Sequence, residues 1–106
     1  MGYRSRGYLD RIMHKKLPKI VRVQPLGGHK LELAFADGAG GVGDFGWIFE
    51  RIGPMNEPLR DEEFFALVFL ENGALAWPNG YDLSPWNVRR RMEEAGVLRA
   101  HGVAAE

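Results

Sequence analysis

Apolar and polar residues alternate most strictly across residues 30–35, where Leu31, Leu33 and Phe35 share one face and Lys30, Glu32 and Ala34 the other. A period of two predicts a half-buried β-strand. The segment before it, Ile20 to Gln24, is rich in β-branched residues and reads as an extended partner, with Gly27 and Gly28 supplying the turn between them. Asp37-Gly38 falls where a two-residue hairpin loop needs positive φ at both central positions, so residues 40–44 are expected to return as a third strand, weakened by its glycines. Asp44 then precedes Trp47, Ile48 and Phe49, which predict one helical turn packed on the sheet.

Pro54 and Pro58 bracket a loop, after which Asp61 is expected to cap a single turn containing Glu62 and Glu63. Phe64 to Leu70 is apolar on both faces and reads as a central strand. Asn72-Gly73 is the strongest hairpin signal in the chain, with Ala74 to Trp77 as the return strand, stopped by Pro78. Ser84-Pro85 predicts a helix start, serine as cap and proline in the first helical position. Val88, Met92 and Ala95 form its apolar stripe, and Gly96 is placed to end it. The expected fold is α+β: a small, mostly antiparallel sheet built from hairpins across residues 18–77, with short helices and a C-terminal helix.

The order Pro25-Leu26, then Leu33-Ala34-Phe35-Ala36-Asp37-Gly38, then Gly41 with Asp44-Phe45, resembles the first half of a small bacterial family, domain of unknown function family 2442. Its second half is matched by Pro58-Leu59-Arg60-Asp61 leading to Phe64-Phe65, then Trp77-Pro78-Asn79-Gly80 and Asp82-Leu83-Ser84-Pro85. The resemblance runs from about residue 18 to about residue 88. It implies a compact α+β domain with a mostly antiparallel sheet and no established activity. Relatives are often suspected to be antitoxin components or accessory proteins, and some carry a C-terminal helix-turn-helix. With ten residues following Gly96 in this sequence, no helix-turn-helix is expected after the last helix.

Charge divides the chain. The formal net charge is zero, yet residues 1–24 hold Arg4, Arg6, Arg11, Lys15, Lys16, Lys19 and Arg22 against Asp10 alone, a net of +6. The remainder carries −6. Leu9, Ile12, Met13 and Leu17 permit a short amphipathic helix in this basic arm, ended by Pro18. The expected organisation is an arm over residues 1–17, one domain over 18–96 and a tail over 97–106. No secretory signal or myristoylation pattern is expected at the start, and a cytoplasmic protein is the default. With 45% hydrophobic and 26% charged residues the composition is that of a globular protein. The absence of cysteine excludes disulfides, thiolate metal sites and cysteine nucleophiles. The longest apolar run, seven residues from Phe64 to Leu70, is too short to span a bilayer, so no membrane partner is expected.

Several chemistries can be posed and weighed. Gly38-Ala39-Gly40-Gly41-Val42-Gly43 matches G-x-G-x-x-G, but a dinucleotide loop needs a helix directly behind it within a βαβ unit. Without that context the glycines read as a hairpin arm that bends or lets another backbone approach, and no cofactor is expected. His14, His29 and His101 lie in the arm, a turn and the tail, without metal-ligand spacing. Asp37, Asp44, Asp82 and His29 would make an acid–base or cation site only by converging in space, and each aspartate also suits a turn or cap. Ser84 reads as a cap and lacks the nucleophile-elbow pattern. Arg89, Arg90 and Arg91 offer a basic run, although Arg89 faces Glu93 and Arg90 faces Glu94 at i, i+4. Trp47, Trp77 and Trp86 can stack on bases, but packing in the core is the expected fate.

The leading functional expectation is a non-catalytic protein-interaction module, antitoxin-like or accessory, acting as a homodimer or on a small protein partner. The alternative is nucleic-acid binding through the basic arm. A small enzyme with an Asp/His site comes third. The candidate interaction residues are Arg4, Arg6, Arg11, Lys15, Lys16, Lys19, Arg89, Arg90 and Arg91.

Overall fold

The computed structural model describes residues 18–100. Its first sheet follows the alternating pattern. Strands β1 (Ile20–Gly27), β2 (Lys30–Phe35) and β3 (Gly40–Asp44) run antiparallel in the order β1-β2-β3. Leu31, Leu33 and Phe35 are buried on its inner face, with Ile20 opposite Phe35 and Val23 opposite Leu33. Irregularities flank β1 between Ile20 and Arg22 and between Pro25 and Gly27, where proline cannot donate to the ladder.

The turn from β2 to β3 is wider than the two residues expected. It spans residues 36–39, and Gly38 takes positive φ while Asp37 does not. Asp37 instead accepts the Ala39 N–H through Oδ1 at 3.0 Å, and the Phe35 N–H donates to the Ala39 carbonyl at 2.7 Å. An aspartate side chain that mimics a backbone turn removes the need for a second left-handed residue.

The strands form two sheets. The second is also antiparallel, with order β4-β5-β6: β4 (Phe69–Glu71), β5 (Ala74–Ala76) and β6 (Asp82–Leu83). The central strand expected over Phe64 to Leu70 is absent. Asp61 accepts the Glu63 N–H at 3.0 Å and starts a single helical turn, α1 (Glu62–Phe65). The chain then turns at residues 66–67 before the short β4. A uniformly apolar run carries no period with which to choose between helix and strand, and the cap decided the matter. At Asn72-Gly73 both residues take positive φ, 54° and 83°, as a tight hairpin requires. Strand β6, not expected from the sequence, follows the turn at Pro78–Gly80 and contains Asp82, which was expected in a turn. The sheets meet where the Ile20 N–H donates to the Gly73 carbonyl at 2.9 Å.

Between the sheets lie two 3-10 turns, Gly46–Glu50 and Glu57–Arg60. Helix α2 (Pro85–Ala95) starts at Ser84, whose hydroxyl accepts the Asn87 N–H at 3.5 Å, and ends at Gly96 with φ 72°. Val88 and Met92 are buried, whereas Ala95 is exposed. Beyond the helix, Val97 and Leu98 pack against the core, and Arg99 pairs with Gly40 on the outer edge of β3. One core unites the two sheets and α2, centred on Trp77, Phe45, Phe65, Leu59, Leu75 and Val88. The Trp77 indole N–H donates to the buried Phe65 carbonyl at 2.8 Å. No helix among the described residues is long and apolar enough to cross a membrane.

Candidate binding site

Arg4, Arg6, Arg11, Lys15 and Lys16 lie outside the described residues, as do His14 and His101. Lys19 is exposed, its side chain alongside Gly73. The three consecutive arginines have three separate fates. Arg89 is committed to structure: it bonds Glu93 at 2.8 Å, reaches Asp37 at 3.1 Å, and lies over the Phe35 ring with its guanidinium carbon 4.9 Å from the centroid. Arg89 and the Ala39 N–H together hold the Asp37 carboxyl below its ordinary range. Arg90 turns to Asn87 rather than to Glu94, as expected from spacing alone. Arg91 leaves the helix in another direction. Its guanidinium carbon stands 4.4 Å from the centroid of the Trp47 ring, with Glu50 at 3.6 Å, too long for a hydrogen bond.

The aspartates and His29 do not form a cluster. Asp44 accepts the Gly46 N–H at 2.9 Å and shapes the entry to the first 3-10 turn. The His29 ring bonds the Leu59 carbonyl through Nε2 at 2.8 Å and meets Phe49 and Phe65 edge-on. Among the described residues no three His, Asp or Glu side chains come together in a way that would hold a metal ion.

The glycine run has a packing explanation. A Cβ on Gly41 would collide with the Val97 carbonyl, and one on Gly43 would press on Phe45 and Met92. Another backbone does approach this hairpin arm, and it belongs to the same chain. No α-helix opens behind the glycines: Gly40, Gly41 and Gly43 lie within β3 itself, and only the short 3-10 turn Gly46–Glu50 follows.

What the fold does assemble is a pair of hollows that share the Trp47–Arg91 contact as a wall. The larger, about 430 Å³, is lined by Trp47, Ile48, Glu50, Arg51, Asn56, Tyr81 and Arg91. The smaller, about 320 Å³, lies between the end of β3 and the end of α2, with Asp44, Phe45, Met92 and Glu94 among its lining. Asn56, the single buried polar side chain among the described residues, holds the rim of the larger hollow. Its amide donates to the Ile48 carbonyl at 2.8 Å and to the Arg51 carbonyl, and its oxygen accepts the Gly53 N–H at 2.7 Å. Asn79 ties the same loop to the second sheet by donating to the Met55 carbonyl at 2.9 Å. Burial, with Asp82 adding to it, pushes the Tyr81 phenol above its ordinary value, so the hydroxyl keeps its proton. Arg51 forms no ion pair among the described residues.

Sequence reasoning singled out Trp47 and Arg91 separately but not their contact, and it missed Arg51, Asn56 and Tyr81. None of these carries a motif; they meet only through tertiary packing. Of the three tryptophans, Trp77 packs as expected, Trp47 is half-buried, and Trp86 is 47% exposed on the first turn of α2.

No curated protein and no solved structure matches the chain. Residues 20–93, which span both sheets and almost all of α2, match the family described as protein of unknown function, DUF2442. The match covers well over half of the chain, and the chain belongs to this family.

Proposed function

We propose that this protein is a non-catalytic interaction module that works by holding another protein, either a second copy of itself or a small partner, in an antitoxin-like or accessory role in the cytoplasm. The observation that supports this best is the composition of one surface. The hollow walled by Trp47 and Arg91 is bordered by a loop that presents Ile52 and Met55, 53% and 45% exposed. Aromatic and arginine anchors in a pocket, with large apolar side chains beside it, are the residue types that dominate protein–protein contacts. Asp37, Asp44 and His29 are meanwhile engaged in turns and packing.

The test is site-specific photo-cross-linking of the full chain in the cells that make it. A benzophenone side chain placed at Ile52 is expected to give one discrete adduct, whereas the same group at the exposed Val21 of β1 gives none. An absence of any discrete adduct at position 52, or equal adducts at both positions, overturns the reading.

A further inference from the structure

We propose that the larger hollow recognises an acidic peptide segment, with one side-chain carboxylate received by Arg51 and Arg91 and the apolar neighbour of that residue laid against Trp47 and Ile48. This rests on the interaction-module reading and names the chemistry of the partner.

Charge is the first support. Residues 18–100 carry nine basic and twelve acidic side chains, a net of −3. The hollow goes against this trend, with two guanidinium groups and one carboxylate, Glu50. It is a positive spot on an acidic body. A single carboxylate on an otherwise neutral peptide gains from that spot. A nucleic-acid backbone would bring many phosphates against the surrounding acidic surface and be repelled.

The second support is the state of each cation. Arg91 lines the hollow and is held there by its cation–π contact with Trp47, an interaction that does not use up the five N–H donors of its guanidinium. Its ionic neighbour Glu50 stands at 3.6 Å with a side chain 66% exposed, so it is loosely engaged and free to leave. That Glu50 reaches this position shows what kind of group Arg91 accepts: a carboxylate supplied from outside would replace one supplied by the chain. Arg51 has no anion of its own among the described residues. Tyr81 adds a protonated hydroxyl to the lining, and Ile48 and Trp47 supply apolar surface for the adjoining side chain. A volume of about 430 Å³ suits two or three side chains rather than a folded element.

The experiment uses the full chain, labelled with ¹⁵N and followed at the indole N–H of Trp47, assigned with Trp47→Phe. The probes are acetyl-Phe-Glu-Phe-amide, its Gln counterpart, inorganic phosphate and a short DNA duplex. The Glu peptide is expected to shift the Trp47 signal saturably with a Kd of about 1 mM or tighter, and the Gln peptide, phosphate and duplex are not. Arg51→Gln should weaken the Glu peptide roughly tenfold. Glu50→Gln, which removes the internal competitor, should tighten it about threefold. A Gln peptide that binds equally well, no saturation by about 10 mM, tighter binding of phosphate or duplex, or weakened binding in Glu50→Gln would each overturn the proposal. Because the cross-link at position 52 is independent of the peptide, an adduct there without peptide binding removes the acidic-ligand inference alone. Peptide binding without an adduct removes only the broader reading.

Discussion

The carbonyl oxygen of Val97 fills the space into which a Cβ on Gly41 would project. Beside it, Arg99 and Gly40 exchange backbone hydrogen bonds at 2.9 and 3.0 Å. The segment after α2 therefore shields part of the open edge of β3, a place where an unpaired strand invites another chain. Gly41→Ala must push this segment off or bend β3, and is expected to cost about 1–3 kcal/mol in urea denaturation. Gly53→Ala is the control: the nearest atom to its added methyl is 3.8 Å away, and the change should stay within about 0.5 kcal/mol. Equal denaturation midpoints for the two variants would contradict the close approach.

Trp77 combines volume with a polar obligation, since its buried indole N–H donates to the Phe65 carbonyl at 2.8 Å. Trp77→Phe removes the donor, leaves that carbonyl without its partner and opens space in the core. The combined loss should be about 2–4 kcal/mol by chemical denaturation. A loss under about 1 kcal/mol would mean that the carbonyl finds water or another donor.

At the tip of the β4–β5 hairpin, Gly73 has φ 83°, and its carbonyl accepts the Ile20 N–H that joins the two sheets. The Lys19 Cγ occupies the place where a Cβ on Gly73 would lie, so an added side chain must also force Lys19 into another rotamer. Backbone strain of about 1–2 kcal/mol is therefore the least that Gly73→Val should cost. An unchanged midpoint would place the turn elsewhere.

Asp37 provides a pH dependence with a definite sign. Its carboxyl is held below the ordinary range by Arg89 first and by the Ala39 N–H next. A group whose folded-state value is depressed adds stability above its unfolded value and loses it as pH falls through the folded value. The difference in Tm between the wild type and Asp37→Asn should therefore be full at neutral pH and close as pH drops below about 4. It should be small throughout, because the carboxylate is about half-exposed and solvent screens the pair. A gap that stays constant into strong acid would show that charge on Asp37 plays no part.

The elements that could be read from sequence were those written in local rules. Leu31, Leu33 and Phe35 alternate because one face is buried; Asn72-Gly73 and Ser84-Pro85 with Gly96 are backbone chemistry confined to a few neighbouring residues. The turn expected after the Asp61 cap is present, but Phe64 to Leu70 failed as a strand because hydrophobicity without a period does not select a conformation, and the capped turn takes up Phe64 and Phe65. Asp37-Gly38 signalled a turn but not its width, which depends on an aspartate side chain replacing a backbone partner. The hollow was harder still. Trp47 sits on a 3-10 turn and Arg91 on α2, and only the packing of α2 over β3 brings them together. The pairing of Arg89 with Glu93 was visible as helical spacing, whereas its bond to Asp37 crosses from the helix to a hairpin turn and leaves no trace in spacing.

Asn56 gives the hollow a property beyond its lining. One amide satisfies two carbonyls and one N–H of the surrounding loop, so the backbone on this side of the cavity is already arrested before anything arrives. A ligand entering it spends little of its interaction energy on ordering the receptor, since fixing even a few loop residues costs about 1–2 kcal/mol each. Preorganisation of this kind lets a small contact with only a few anchoring groups hold a partner, and it places the control of affinity in a residue that need not touch the ligand at all.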